Sequence, residues 1–189
     1  MLFQQQDCIA EWAGSSRVQG RIADTTLNCI SHLRKNYPQA TVSVEVEKPG
    51  RPGLPDLAAA ADVVFFSRSW AEDQGYTASK PFLEEQGRVL ATRSPILFCT
   101  WGAQGSRAWH SGIIEHAKPL TTDVKVVDPV GAGDSFIAGV LFALAVQRGN
   151  TVSKALRLGI TVAEAKVQRE GFQGLGGETE QQHTTRWLA

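Results

Sequence analysis

Apolar positions along the chain switch between a helical spacing and short continuous or alternating runs, and that switching predicts an α/β fold. From about Arg21 to Asn36 the helical spacing puts Ile22, Leu27, Ile30 and Leu33 near one face, and Asn36 and Pro38 then stop the segment. Ala40–Val46 alternates Val42, Val44 and Val46 with Thr41, Ser43 and Glu45, the pattern of a strand with one buried side. After a Pro- and Gly-rich turn at Lys48–Pro55, Asp62–Ser67 carries the unbroken run Val63, Val64, Phe65, Phe66, as a parallel strand covered on both faces requires. A helix around Lys80–Thr92 leads to a further short run, Pro95–Trp101. Ser106–His110 is placed as its hairpin partner across Gly102 and Gly105. Val124–Val127 is predicted as a strand ending at Asp128, and Pro129–Gly133 as a tight turn into a helix from about Asp134 to Arg148. Asn150 and Thr151 are candidate caps of a last helix, Val152–Arg169, with Val152, Ala155, Leu156, Ile160, Ala163 and Val167 as its apolar positions.

Neither end joins this alternation. Met1–Val18 has no clear period, and Gln173–Ala189 is Gly-rich and polar apart from Trp187 and Leu188, so a frayed tail is expected. The predicted organisation is an irregular segment over 1–19, one folded domain over 20–175 and a flexible tail over 176–189. The length of 189 residues and a composition 42% hydrophobic and 20% charged suit one core. Lys+Arg 19 against Asp+Glu 19 gives a formal charge of +0, so no nucleic-acid partner is implied. Trp12, Trp70, Trp101, Trp109 and Trp187 form no stacking stripe either. The longest apolar stretch, Phe136–Val146, is too short to span a bilayer and reads as a buried helix. The first residues lack the basic start and apolar core of a secretory signal, so a cytoplasmic chain without a membrane partner is expected. Cys8, Cys29 and Cys99 have no short spacing and are read as buried thiols, and His32, His110, His116 and His183 are scattered without ligand spacing.

The chemistry concentrates in Asp128-Pro129-Val130-Gly131-Ala132-Gly133-Asp134-Ser135-Phe136-Ile137-Ala138-Gly139, between a predicted strand and a predicted helix. Small residues at 131–133 let an anion approach the backbone, where a helix N-terminus supplies N–H donors and a partial positive charge. A Walker loop fails, because Gly133 is followed by Asp134 and not by Lys. A dinucleotide fingerprint is weak, because Phe136 stands where a third small residue belongs. In a third reading Asp134 is itself functional. The helix dipole favours negative charge at its position, beside a phosphate, where the carboxylate can take a proton from a hydroxyl. The bland alternative makes Asp134 an ordinary first-turn residue and the glycines mere turn formers.

The twelve-residue string closely resembles the second signature of the ribokinase-like, or PfkB, carbohydrate kinases, Asp-(Thr/Pro)-x-Gly-Ala-Gly-Asp before a helix. Val42–Pro49, Asp62–Phe65, Cys99-Thr100-Trp101 and Ala155–Phe172 resemble, in order, segments of the ketohexokinase branch of that family. The resemblance runs from about Gly20 to Leu175 and corresponds to the C-terminal part of the family fold. It implies a three-layer α/β/α sheet whose N-terminal strands and lid are missing here. It also implies transfer of the ATP γ-phosphate to a hydroxyl of a fructose-type sugar. Asp134 would then be the catalytic base, Gly131, Ala132 and Gly133 the anion hole, and ATP with Mg2+ the cofactors. Thr100-Trp101-Gly102-Ala103-Gln104-Gly105 resembles the family's Thr-x-Gly-x-x-Gly turn, which makes Thr100, Gly102 and Gly105 candidate ATP contacts; the plainer reading is a hairpin bend. Val130, Phe142 and Val167 are candidate walls for the adenine, with core packing as the competing reading.

Two departures limit what carries over. The family's Asn-x-x-Glu magnesium motif falls near Ser67-Arg68-Ser69-Trp70, where neither residue stands, and no metal ligand is assigned; Glu45 and Glu47 are candidate acidic contributors through water, with solvent-facing strand positions as the preferred reading. The first family signature, the lid and most sugar contacts lie in a region with no counterpart before Gly20. Gly20-Arg21 resembles a Glu-Gly-Arg segment near the end of that region. The expectation is a truncated form whose native start lies upstream, with an uncovered sheet edge prone to association, so that a second copy of the chain is a candidate partner. The competing functional class is a catalytically silent nucleotide-binding or interaction protein that has lost its sugar site. A dinucleotide-dependent oxidoreductase stands behind both.

Overall fold

The computed structural model describes residues 15–19, 22–93, 95–121, 123–146 and 151–175. They form a six-stranded sheet in simple sequence order, β1 (Ser15–Gln19), β2 (Thr41–Val46), β3 (Val63–Phe66), β4 (Ile96–Thr100), β5 (Ser106–His110) and β6 (Ile113–Ala117). The first four strands pair in parallel, with Val18 opposite Val44, Val44 opposite Val64, and Val64 opposite Leu97. Parallel neighbours need crossovers, and these are helical: α1 (Ala23–Asn36), α2 (Leu54–Ala60), and α3 (Arg68–Asp73) with α4 (Ser79–Val89). Past Thr100 the connections shorten too far for crossovers, and the β5–β6 turn, Ser111-Gly112, has positive φ at both residues.

Two compact units result. The first holds the described residues up to Trp101 together with Arg107–Glu115. Its core lies on one face of the sheet, where Val42, Val44, Val46, Val64, Phe66, Leu97 and Cys99 meet Ile30 and Leu33 of α1, Leu57 of α2, Trp70 of α3 and Phe82 of α4. Phe82 meets Phe66 edge to face with ring centroids 5.0 Å apart. The opposite face is buried as well, through Ser43, Val63, Phe65 and Phe98. So β2 does not have the single buried side that its alternation predicts. A polar residue on a parallel strand can be covered like its neighbours, and Glu45 is half-buried while Glu47 lies exposed just beyond the strand. Arg34 ties this unit's edge: its guanidinium donates to the carbonyls of Ala40 and Ala60 and pairs with Asp62 at 2.8 Å.

The second unit holds Gly102–Ser106 and the described residues from His116 onward. Two helices build it, α5 (Ala132–Val146) and α6 (Val152–Val167), the latter capped by the Thr151 side chain, which accepts from Lys154 N. They pack through glycines. A Cβ on Gly139 would stand 3.0 Å from Gly159 Cα, and one on Gly159 would stand 2.6 Å from Val140 Cγ2.

Four expectations change. Val124–Val127 is not a strand: Val127 and Asp128 N–H donate to the Val167 carbonyl at the end of α6, which takes the bonds a ladder would have used, and Val126 and Val127 are exposed. Leu54–Ala60 is a helix that begins within the last two residues of the expected turn, since Pro55 in a first turn forfeits no hydrogen bond. Ser15–Gln19, where no period is visible, pairs as β1. Cys29 is exposed on α1, out of line with the buried Thr26, Ile30 and Leu33. Cys99 is buried, and burial pushes its thiol up to about 12. Arg21, Arg148, Asn150, Cys8, Trp12, Trp187 and His183 lie outside the described residues, and no described helix is long and apolar enough to cross a membrane.

Candidate functional site

Within the second unit the turn 128–134 is built by a short chain of constraints. Asp128 accepts from Val130 N at 2.9 Å through Oδ1, which closes the first bend. Gly131 then adopts φ 78°, a left-handed value that a side chain disfavours. A Cβ there would stand 2.3 Å from the Phe172 ring, so the position is closed on steric grounds as well. Ala132 N bonds Pro129 O, and Ser135 N bonds Gly131 O, the first helical bond of α5. The Gly133 N–H precedes that bond and so has no acceptor four residues back in the helix. A Cβ on Gly133 would meet nothing within 4 Å, so the backbone there opens onto space, and Asp134 is exposed beside it. An open backbone at Gly133, a helix dipole and the exposed Asp134 beside it thus lie together, an arrangement suited to an anion with a hydroxyl next to it.

The turn is fastened from behind by a group that the sequence pattern conceals. Lys166, fully buried on α6, donates to Asp128 Oδ2 at 2.7 Å and to the Asp128 carbonyl at 3.1 Å. Its ammonium also stands 5.0 Å from the centroid of the Phe172 ring, the same ring that abuts Gly131. Gly171 N adds a 3.3 Å bond to Asp128 Oδ2. The Lys166 hydrogen bond, followed by that from Val130 N, holds the Asp128 carboxyl below its ordinary value of 3.8. Glu164 fastens the other end of the unladdered segment. Buried on the same helix, it accepts from Leu120 N at 2.6 Å, Thr121 N at 3.0 Å and the Thr121 hydroxyl.

Because the Asp128 carboxyl is lowered on folding, its contribution to stability is fully present above its unfolded value of about 3.8 and is lost as pH falls through the lower folded value. Acid unfolding of wild type should therefore steepen below that pH. Asp128→Asn should remove this component, giving a shallower acid limb in a circular-dichroism titration; identical limbs would refute the assignment.

The remaining candidates are placed as follows. Thr100 ends β4 in the first unit, half-buried, whereas Gly102 and Gly105 belong to the second. Gly102 opens a single 3₁₀ turn with φ 56°, and Gly105, at φ 88°, donates from N to Gly102 O. A Cβ on Gly105 would stand 2.1 Å from Ala117 O, so this glycine has a packing reason of its own. Val130 and Phe142 are exposed at 72% and 51%, and neither is core. Phe142 follows Asp134 and Ala138 at four-residue intervals, which places all three on one exposed stripe of α5. Val167 is half-buried and contributes its carbonyl to the turn.

Ser67 and Ser69 do not fit a metal. Both hydroxyls donate to the Glu47 carbonyl, Ser67 also caps α3 through Trp70 N, and Trp70 is buried. The described residues contain no cluster of three or more His, Cys, Asp or Glu able to hold an ion. His32 and His110 meet neighbouring side chains and His116 the Gln104 carbonyl, all local contacts.

The sequence matches the pfkB family carbohydrate kinase description over residues 5–177. The match starts earlier than the sequence pattern alone suggests, and it includes β1. Mouse (Mus musculus) ketohexokinase is 32% identical over 167 residues, covering 84% of this chain and 54% of the relative. Ribokinase from Thermotoga maritima superposes with a TM-score of 0.68 at 21% identity, over 88% of this chain and 55% of its own. A fructokinase from Vibrio cholerae O395, solved with fructose, ADP and a calcium ion bound, gives 0.66 at 21% identity, over 85% and 57%. The chain thus spans about half the length of the relatives it matches.

Proposed function

The chain belongs to the pfkB family of carbohydrate kinases, and on that premise we propose that its second unit carries the phosphoryl-transfer machinery of an ATP-dependent, ketohexokinase-like sugar kinase acting on a fructose-type substrate. The observation that carries the reading is the start of α5, where the open Gly133 backbone and the exposed Asp134 carboxylate sit side by side on a turn fixed by Asp128.

In this reading Gly131, Ala132 and Gly133 form the anion hole for the γ-phosphoryl group as its charge redistributes. Asp134 takes the proton of the attacking sugar hydroxyl. The sugar oxygen bonds to phosphorus, the bond to the β-phosphate oxygen breaks, ADP leaves, and Asp134 returns its proton to solvent. Thr100, Gly102 and Gly105 are proposed nucleotide contacts, and Val130, Phe142 and Val167 the apolar surface for the base. Exposure of Val130 and Phe142 supports this over a core role. In this reading magnesium enters as part of the substrate Mg·ATP. A cytoplasmic setting fits a chain that consumes ATP.

Calorimetric titration of the purified chain with Mg·ATP tests the nucleotide half, and coupled assay with ketohexoses tests transfer. Saturable one-site binding with hydroxyl-dependent ADP release is expected. Binding without turnover would establish the silent nucleotide-binding alternative; no binding by a folded chain would remove the reading altogether.

A further inference from the structure

We propose that Lys166 is a positioning residue for the phosphate-facing turn: from inside α6 its ammonium grips Asp128 at two points and so fixes the bend that leads into the start of α5. The inference rests on the kinase reading for what the turn binds, but not for the holding itself.

The argument begins with the cost of placing a lysine there. A fully buried ammonium is unfavourable unless it is paired and hydrogen-bonded, yet Lys166 has 0% exposure. Its partners are the Asp128 carboxylate, the Asp128 carbonyl and the Phe172 ring, all belonging to segments that flank the turn. Of its side-chain contacts, none is to another residue of α6. The same Asp128 carboxylate that receives the ammonium through Oδ2 shapes the bend through Oδ1 and Val130 N. The ring beneath the ammonium is the one against which Gly131 closes. Lys166 is therefore linked to Gly131 by two separate routes, through Asp128 and through Phe172.

Charge counting supports positioning over direct attraction. Paired with Asp128, the ammonium adds no net charge to an anion site, so its value lies in geometry. Removing it also leaves the Asp128 carboxylate uncompensated near an incoming phosphate, where like charge repels. The position on α6 suits a fixed anchor. Lys166 is seven residues, two turns, beyond Gly159, where α6 packs tightly on α5 at Gly139 and Val140, so the anchor sits on the helix that packs against the one it aims.

Hydrogen exchange of the 128–135 amides, read by mass spectrometry on the full chain, tests the holding without reference to any ligand. Lys166→Ala should speed exchange there by about tenfold or more, in keeping with loss of charge-assisted bonds, while leaving β2 and β3 unchanged. Propylammonium, which replaces the deleted stem and charge, should restore protection, and propanol should not. The affinity for Mg·ATP should fall and recover in parallel. Should the alanine variant fail to fold, Lys166→Met with Asp128→Asn removes both charges at nearly constant volume, and the fast exchange should persist in it. Unchanged exchange in the alanine variant, or full recovery of protection in the double variant, overturns the proposal, the latter by reducing Lys166 to a counter-charge. If wild type itself binds no Mg·ATP, the kinase reading fails while the exchange comparison still judges Lys166.

Discussion

Replacing Asp134 by Asn is expected to lower kcat for sugar phosphorylation by about a hundred- to ten-thousand-fold, the range over which general-base catalysis acts. Nucleotide affinity should stay level or rise slightly. Asn keeps the size and shape of Asp and can still lie in the first turn of α5, but it offers no carboxylate to receive the hydroxyl proton. It also removes a negative charge from beside the phosphates, which opposes any loss of ATP binding. The effect on folding should be small, because Asp134 is exposed and its interaction with the helix dipole is worth only about 0.3–1 kcal/mol. Steady-state kinetics with a ketohexose, read beside an Mg·ATP titration of the same preparation, separates these effects. A kcat reduced with KM for ATP unchanged identifies the base, whereas a kcat within a few-fold of wild type would remove Asp134 from that role.

Asp134 and its turn were legible in the sequence because their signal is local. A strand-like run, small residues and an acid before an apolar helix lie within one stretch of chain, and the structure keeps them contiguous. Elements that depend on distant partners were less visible. Val124–Val127 has strand composition, but its backbone finds the end of α6, and only the fold specifies that. β6 mixes Glu115 and His116 with apolar residues, a pattern that becomes a strand only when β5 lies alongside. Pro55 reads as the end of a turn but opens α2, and Ser67, read as the end of a strand, also caps α3. The least legible residues were Glu164 and Lys166, since charges on an amphipathic helix are normally solvated. One clue was present. Glu164 stands four residues after Ile160 and eight after Leu156, and Lys166 seven after Gly159, so both charges fall on the buried stripe of α6. Buried charge on an apolar stripe calls for a partner, and here the partners fasten both ends of the segment leading to the site.

The same geometry makes Gly159 the position where a small change should propagate furthest through the second unit. Gly159→Val should destabilise the chain by about 3 kcal/mol or more, at or beyond the upper end of ordinary overpacking. The first added atom already stands 2.6 Å from Val140 Cγ2 and 2.8 Å from the Phe136 ring, and the two branches of valine need further room. Val140 and Phe136 are buried, so neither can swing into solvent to make way. Gly139 Cβ space is also taken, by Gly159 Cα at 3.0 Å, so the helices cannot slide past each other to a looser register without new contacts. The remaining response is separation of α5 from α6. That movement draws Lys166, on α6, away from the turn that starts α5, so stability and Mg·ATP affinity should fall together. In Lys166→Ala with propylammonium the affinity returns; in Gly159→Val it should not, because the anchor is intact but displaced. Urea denaturation gives the first quantity and calorimetry the second. A valine variant with wild-type stability would mean that α5 and α6 do not meet at Gly159, and the account of how α6 aims the turn would fall with it.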